Sequence, residues 1–191
     1  MFGILRTEKR GQAGREASAG QEAQAVRQNR VLTEDGEPLE YLTFPLLERT
    51  GIIGHLFSTR IGGVSRGECA PMNFSVERDE NRENVLENYR RIAKVLDCQV
   101  ADMVASHQTH TTNIRRMTWA DKGKGILRTR DYADVDGMVT DEPGLVLNTF
   151  YADCVPLYFV DPIHHAIGLA HSGWRGTVGR MGERMVETME A

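Results

Sequence analysis

The chain has 191 residues, which suits one domain with a single sizeable core on a prior of ~150 residues per domain. Apolar residues make up 40% and charged residues 26%, as in soluble globular proteins. A net charge of −4 offers no basic surface for nucleic acid or an anionic membrane, and no run approaches the ~20 apolar residues of a membrane span. The first residues also lack the apolar core of a secretory signal. We therefore expect a cytoplasmic protein without nucleic-acid or membrane partners.

The cysteines exclude several kinds of site. There are three, an odd number, and they are widely spaced with no C-x-x-C pair. This pattern argues against a disulfide framework, a zinc finger and the standard nucleobase deaminase, which needs H-x-E with P-C-x-x-C. H-E-x-x-H, Walker and G-x-S-x-G motifs are absent as well. Any active site must therefore be assembled from scattered residues.

The first thirty residues differ in composition from the rest. Residues 1–30 are rich in Gln, Ala, Gly and charge, with almost no large apolar side chain after Leu5. This composition predicts a disordered or frayed tail, with the folded domain over 31–191.

Hydrophobic periodicity predicts a mixture of helices and strands. Apolar residues at helical spacing predict a helix between Asp79 and Leu96, and a second helical pattern follows Thr177, which could cap it. Short runs rich in β-branched and aromatic residues, bounded by Gly, Pro and Asp, predict strands. These runs are 52–57, 145–151, 155–160 and 166–170. The pattern predicts an α/β or α+β domain.

Residues suited to metal binding or nucleophilic catalysis stand at the ends of predicted strands. Cys154 separates two apolar runs, and His171 directly follows a third. A thiolate with an imidazole suits zinc or copper, equally suits a Cys–His nucleophile pair, and also occurs as a buried, inert structural pair. In an extended 106–111 segment, His107 and His110 point to opposite sides, so only one of them reaches the site. Taking His110 gives three ligands, which leaves a fourth coordination position open.

Glycine-rich turns and acidic residues supply further candidates. Arg60 lies in a turn over 59–67 and Arg175 in a turn over 173–177, where arginine and backbone amides together favour an anion such as phosphate. A plain tight turn is the commoner explanation for such segments. Three aspartates in the 134–144 segment either orient a ligand histidine, act as a base or remain solvated turn residues. They are Asp134, Asp136 and Asp141.

From about Tyr41 to residue 191, the sequence resembles the YfiH family, also called the laccase-domain or polyphenol oxidase family. The resemblance depends on six motifs that occur in the family's order. They are FSTRIGGVS at 57–65, 84–91, QTH at 108–110, DGMVTD at 136–141, DCVP at 153–156 and AHSGWRG at 170–176.

This resemblance implies a zinc or copper site formed by His110, Cys154 and His171, and an α-β-β-α sandwich with mixed sheets similar to the catalytic domain of cytotoxic necrotizing factor. It also implies phosphorolysis of adenosine, inosine, guanosine and S-methylthioadenosine, with adenosine deamination in the same pocket. Phenol oxidation is ascribed to copper-loaded relatives. The alternatives are therefore a copper-dependent polyphenol oxidase, a metal-free Cys–His hydrolase and a non-catalytic scaffold that binds nucleosides or a partner protein.

Within this interpretation, Arg60, Arg175 and His107 are candidates for phosphate or ribose contacts. Cys154 and His171 are catalytic candidates, together with Asp136 and Asp153, one of which orients a ligand histidine or transfers protons. The sequence does not choose between these two aspartates.

Two features depart from the family pattern. His107 stands where many relatives carry lysine, so a cationic role there depends on pH, because imidazole titrates near ~6.5. The family also continues beyond residue 191 into a segment containing Gly, Pro and Cys, which predicts that this chain is truncated at its C-terminus.

Overall fold

The computed structural model describes residues 2–7, 24–76 and 81–191, and within these ranges it has ten strands and four α-helices. The strands are β1 (Phe2–Thr7), β2 (Arg27–Leu32), β3 (Pro38–Thr43), β4 (Ile53–Ser58), β5 (Met103–Ala105), β6 (Ile114–Arg116), β7 (Gly137–Thr140), β8 (Val146–Phe150), β9 (Val155–Asp161) and β10 (Ala166–Ser172). The helices are α1 (Pro45–Glu48), α2 (Arg82–Val95), α3 (Trp174–Val178) and α4 (Met181–Glu190). Among these, no helix is both long and apolar enough to span a membrane.

The strands form two mixed sheets. One sheet has six strands in the order β2-β3-β4-β1-β8-β5, and the other has four in the order β6-β7-β10-β9. Neighbouring strands are antiparallel except for two parallel pairs, β5 with β8 and β6 with β7. The α+β class expected from the sequence is therefore confirmed.

The two sheets pack face to face, with a helix on each outer side. Alternate side chains of a strand point to opposite faces, so in β1 Ile4 packs under α2 while Leu5 packs between the sheets. From the other sheet, Ile167 and Leu169 of β10 fill the layer between the sheets. Helix α4 covers the outer face of the four-stranded sheet through Met181 and its neighbours. The layers are α, β, β and α, as expected.

A disordered or frayed tail was expected over residues 1–30. The structure describes both ends of this segment, and at both ends the expectation is wrong because the chain forms strands. Strand β1 lies between β4 and β8, paired antiparallel with both, and Ile4 and Leu5 are fully buried. Residues 27–30 belong to β2. The apolar part of β1 is too short to produce a recognisable alternation, and its partners lie far along the chain. Residues 8–23 lie outside the described residues.

Helix α2 (Arg82–Val95) confirms the helix predicted between Asp79 and Leu96. Asn81 caps it by accepting a hydrogen bond from the main-chain N–H of Glu83 through its side chain. Its buried side includes the fully buried Tyr89 and Ile92, which pack on the six-stranded sheet.

The prediction that Thr177 caps the last helix is wrong. Thr177 lies inside the short helix α3, and its hydroxyl donates to the Gly173 carbonyl. Helix α4 begins only after Arg180, which has a left-handed backbone with φ of 62°. Two short helices therefore occupy the region where the periodicity predicted one.

Candidate metal centre

The three predicted metal ligands meet at one end of the sandwich. Strands β5 and β8 are parallel, so the loop after β5 and the turn after β8 leave the sheet at the same edge. The first carries His110 and the second carries Cys154, while His171 lies near the end of β10 in the other sheet. One ligand atom from each residue lies within 4.8 Å of the others. The structure thus brings together the three residues that the sequence singled out.

A buried carboxylate joins the two histidines. Asp136 directly precedes β7 and is fully buried. Its Oδ1 accepts hydrogen bonds from His171 Nδ1 at 2.8 Å and from the His110 N–H at 3.1 Å. Its Oδ2 accepts from the N–H groups of Thr109 and Thr111 at 3.1 and 2.9 Å and from the Thr111 hydroxyl at 2.9 Å. Of the two candidate aspartates, Asp136 is the one that hydrogen-bonds to these histidines among the described residues.

These hydrogen bonds determine the charge of Asp136. Burial raises the pKa of its carboxyl, but hydrogen bonds from His171, Thr111 and Thr109 outweigh burial and hold the pKa at about 2. An ionised Asp136 accepts the Nδ1 proton of His171, which leaves Nε2 as the nitrogen available to a metal. The same carboxylate stabilises the left-handed backbone of His110, whose φ is 65°.

The residues fit a metal ion in both chemistry and space. Thiolate and imidazole donors suit zinc or copper, and three ligands leave a position for water or substrate. The space between them is kept open by Gly173, because a Cβ there would lie 2.8 Å from Cys154 Sγ and 3.2 Å from His110 Cδ2. The rings of His110 and His171 meet edge to face with centroids 4.9 Å apart.

Tyr151 packs against His171. Its ring lies 5.7 Å from the His171 ring, and its hydroxyl donates to the Ala170 carbonyl at 3.0 Å. Burial raises the pKa of this phenol, so it remains a neutral donor.

The proposed substrate contacts lie outside the three-ligand group. His107 is half-buried, pairs with Val135 through its main chain, and accepts the Asp134 N–H at Nδ1 over 3.1 Å. Of the two histidines in this segment, His110 belongs to the three-ligand group, and the segment bends at residues 109–110 rather than staying extended. Asp153 is exposed and has no hydrogen-bond partner among the described residues.

The two candidate arginines differ in their surroundings. Arg60 is exposed, and its Nη2 donates to the carbonyls of Ala70 and Glu68, so this nitrogen holds the neighbouring loop. Arg175 is exposed, with its guanidinium 5.2 Å from the centroid of the Trp174 ring. Trp174 is itself 72% exposed, so it does not pack in the core of the described residues.

Sequence reasoning missed two residues that shape the site. Gly173 lies two residues after His171, where glycine permits close approach of the ligands, but the sequence indicates only a tight turn there. In the sequence Gln108 stands out only as part of the QTH motif, although both the oxygen and the nitrogen of its amide bind the main chain of Phe150.

Residues 54–191 match the family described as multi-copper polyphenol oxidoreductase laccase. The chain is 40% identical over 133 residues to purine nucleoside phosphorylase YlmD of Geobacillus stearothermophilus, covering 68% of this chain and 47% of that protein. It is 37% identical over 146 residues to a purine nucleoside phosphorylase of Deinococcus radiodurans, covering 76% and 53%. The chain thus spans about half the length of these curated relatives.

Solved structures give the same fold. The hypothetical protein YfiH of Bacillus licheniformis matches with a TM-score of 0.64 and 36% identity, covering 69% of this chain and 50% of that one. YlmD from Geobacillus stearothermophilus matches with a TM-score of 0.61 and 39% identity, covering 68% and 48%.

Proposed function

Because this chain belongs to the multi-copper polyphenol oxidoreductase laccase family and is 35% to 40% identical to proteins named purine nucleoside phosphorylase, we propose that it carries the active site of a metal-dependent purine nucleoside phosphorylase. The observation that carries the proposal is the convergence of His110, Cys154 and His171 around a space that Gly173 leaves open. The substrates are adenosine, inosine, guanosine or S-methylthioadenosine with phosphate, and adenosine deamination uses the same pocket.

Zinc is the proposed ion, with copper as the alternative, and His110, Cys154 and His171 hold it. An ion there supplies Lewis-acid polarisation of a substrate atom or of a water molecule. Asp136 keeps the Nδ1 proton on His171 and binds the His110 main chain, so the His171 imidazole and the backbone that carries His110 are held in place before an ion binds.

Phosphorolysis needs charge stabilisation on both sides of the bond that breaks. A phosphate oxygen forms a bond to ribose C1′ while the bond from C1′ to the purine nitrogen breaks, and the electron pair leaves with the base, which then gains a proton. Arg175 and His107 are the proposed contacts to phosphate or ribose, together with the Arg60 nitrogens not bound to the loop. Asp153 is proposed to transfer the proton, since its carboxylate is exposed on the turn that carries Cys154.

The test is phosphate-dependent release of hypoxanthine and ribose 1-phosphate from inosine by zinc-loaded protein. Cys154→Ala should abolish release, whereas Cys98→Ala, which removes a thiol packed under α2, should retain it. Absence of phosphate-dependent release by wild-type protein with stoichiometric zinc would contradict the proposal.

A copper-dependent phenol oxidase is the second candidate, because the matched family carries that description. The described residues contain one group of three His, Cys or carboxylate ligands, whereas four-electron reduction of oxygen usually uses several coppers. This difference places the oxidase second. Oxygen uptake by copper-loaded protein with a phenol, lost in Cys154→Ala, would support it.

A metal-free Cys–His hydrolase would use Cys154 as nucleophile and His171 as base, since their ligand atoms are close together. It predicts that alkylation of Cys154 abolishes turnover while chelation does not. A metal enzyme should lose turnover to both treatments.

A further inference from the structure

The side-chain amide of Gln108 binds the main chain of Phe150, two residues beyond the last residue of β8 that pairs with β5. Its Oε1 accepts the Phe150 N–H at 2.7 Å and the Ser106 hydroxyl at 2.7 Å, and its Nε2 donates to the Phe150 carbonyl at 2.7 Å. Donor and acceptor of the amide therefore both bind the main chain of one residue, as a neighbouring strand would.

The path of the chain after β5 explains why a side-chain amide, and not a strand, binds the main chain of Phe150 on this side. Strand β5 pairs with β8 as far as Ala105, and the Ser106 N–H still donates to the Asn148 carbonyl. The chain then crosses to the other sheet, where His107 pairs with Val135. Polar groups alternate in direction along a strand, so those of Phe150 face the side that the chain has just left. Gln108 satisfies them.

We propose that Gln108 is a positioning residue for the metal centre, setting the separation between the loop of His110 and the turn of Cys154. Gln108 lies two residues before His110, and Phe150 lies four residues before Cys154. Asp136 independently ties His110 to His171. All three ligands are thus connected through protein hydrogen bonds, independently of any ion.

This inference rests on the metal-dependent function proposed above, and Gln108→Met tests it. Methionine has a similar length and removes both hydrogen bonds to Phe150 without adding charge. We expect Zn²⁺ affinity, measured by competition with a chromogenic chelator, to fall ~10-fold to 100-fold. With Co²⁺ as a spectroscopic probe, the thiolate charge-transfer band should weaken or shift, because the Cys154 sulfur is no longer held in place.

Ser106→Ala is the matched control. It removes the hydroxyl that binds Gln108 Oε1 but leaves both hydrogen bonds to Phe150, so Zn²⁺ affinity and the Co²⁺ spectrum should stay as in wild type. Thermal unfolding of the metal-free proteins separates a general loss of stability from a loss of ligand geometry.

Should Gln108→Met not fold, Gln108→Glu replaces it. Glutamate keeps an acceptor for the Phe150 N–H and loses the donor to the Phe150 carbonyl, so the same loss of Zn²⁺ affinity is expected. Unchanged Zn²⁺ affinity and Co²⁺ spectrum in a folded variant would overturn the role of Gln108 while leaving the proposed phosphorylase intact. Failure of wild-type protein to bind Zn²⁺ or Co²⁺ would overturn both.

Discussion

Asp136 Oδ1 accepts the Nδ1 proton of His171 at 2.8 Å and, from the other side, the main-chain N–H of His110 at 3.1 Å. One oxygen atom thus holds a side chain from one sheet and the backbone of a loop from the other. The group is fully buried, so water does not compete for these hydrogen bonds.

Replacement of Asp136 by Asn should weaken metal binding and the fold together. The amide Nδ2 has only donors to offer, so it would oppose N–H groups that now bind a carboxylate oxygen. We expect Zn²⁺ affinity to fall ~10-fold to 100-fold. The free energy of unfolding of metal-free protein, measured with urea, should fall by about 1–3 kcal/mol. Asp134→Asn, at a neighbouring exposed position, is the control, and an equal loss there would contradict a specific role for Asp136.

A side chain at Gly173 should occupy the space between the proposed metal ligands. The added methyl of Gly173→Ala would contact Cys154 Sγ and His110 Cδ2, so Zn²⁺ affinity should drop by ~10-fold or more. Gly182→Ala in α4 has no atom within 4 Å of the new methyl and should bind Zn²⁺ normally. It should also stabilise the helix by up to ~1 kcal/mol. Normal Zn²⁺ binding by Gly173→Ala would show that the space is not needed.

The N-terminal strand should be essential to stability. Ile4 and Leu5 are fully buried on opposite faces of the six-stranded sheet, so Ile4→Ala and Leu5→Ala should each lower the free energy of unfolding by ~2–5 kcal/mol. Val31→Ala on β2, where the side chain is 38% exposed, should cost much less. Removal of residues 1–7 should abolish cooperative thermal unfolding, and an unchanged melting temperature would contradict this role of β1.

His55 should make stability depend on pH. Burial lowers the pKa of its imidazole to about 4, against the opposing charge of Glu48. The Phe44 N–H donates to its Nε2, which accepts only while unprotonated. The folded-state pKa lies below the unfolded value of ~6.5, so the contribution of His55 is complete above pH ~6.5 and is lost as pH falls toward 4.

Protonation of His55 should lower the free energy of unfolding by about 3 kcal/mol as the pH falls from ~6.5 to 4. Denaturant titrations from pH 7 to 4 measure it, with His55→Gln as control, because Gln keeps an acceptor for Phe44 and does not titrate in this range. A slope of the same size in His55→Gln would assign the pH dependence to other groups.

The elements that can be predicted from the sequence are those whose hydrophobic pattern and capping residues lie within the element itself. The helix over Arg82–Val95 carries its own stripe of apolar residues and its own cap. The strands near Cys154 and His171 are short runs rich in apolar residues, and a thiol or imidazole at the end of such a run is visible without a structure.

Features that depend on distant partners were missed. Strand β1 has too few apolar residues to show a period, and its neighbours begin at Ile53 and Val146. The choice between Asp136 and Asp153 depended on burial, which two aspartates in turns do not reveal. Gln108 has its role only because the chain leaves the sheet beside Phe150, and no single-sequence pattern encodes that departure.

The position of β1 between β4 and β8 also determines when the six-stranded sheet can be completed. Gly3 and Thr149 are paired neighbours 146 positions apart. During translation, β1 therefore remains without one of its two neighbouring strands until β8 has been synthesised. Pairing over such a separation forms slowly, and an unpaired strand is prone to aggregation in the meantime. A growing chain of this protein gains its complete six-stranded sheet only when β8 has emerged from the ribosome.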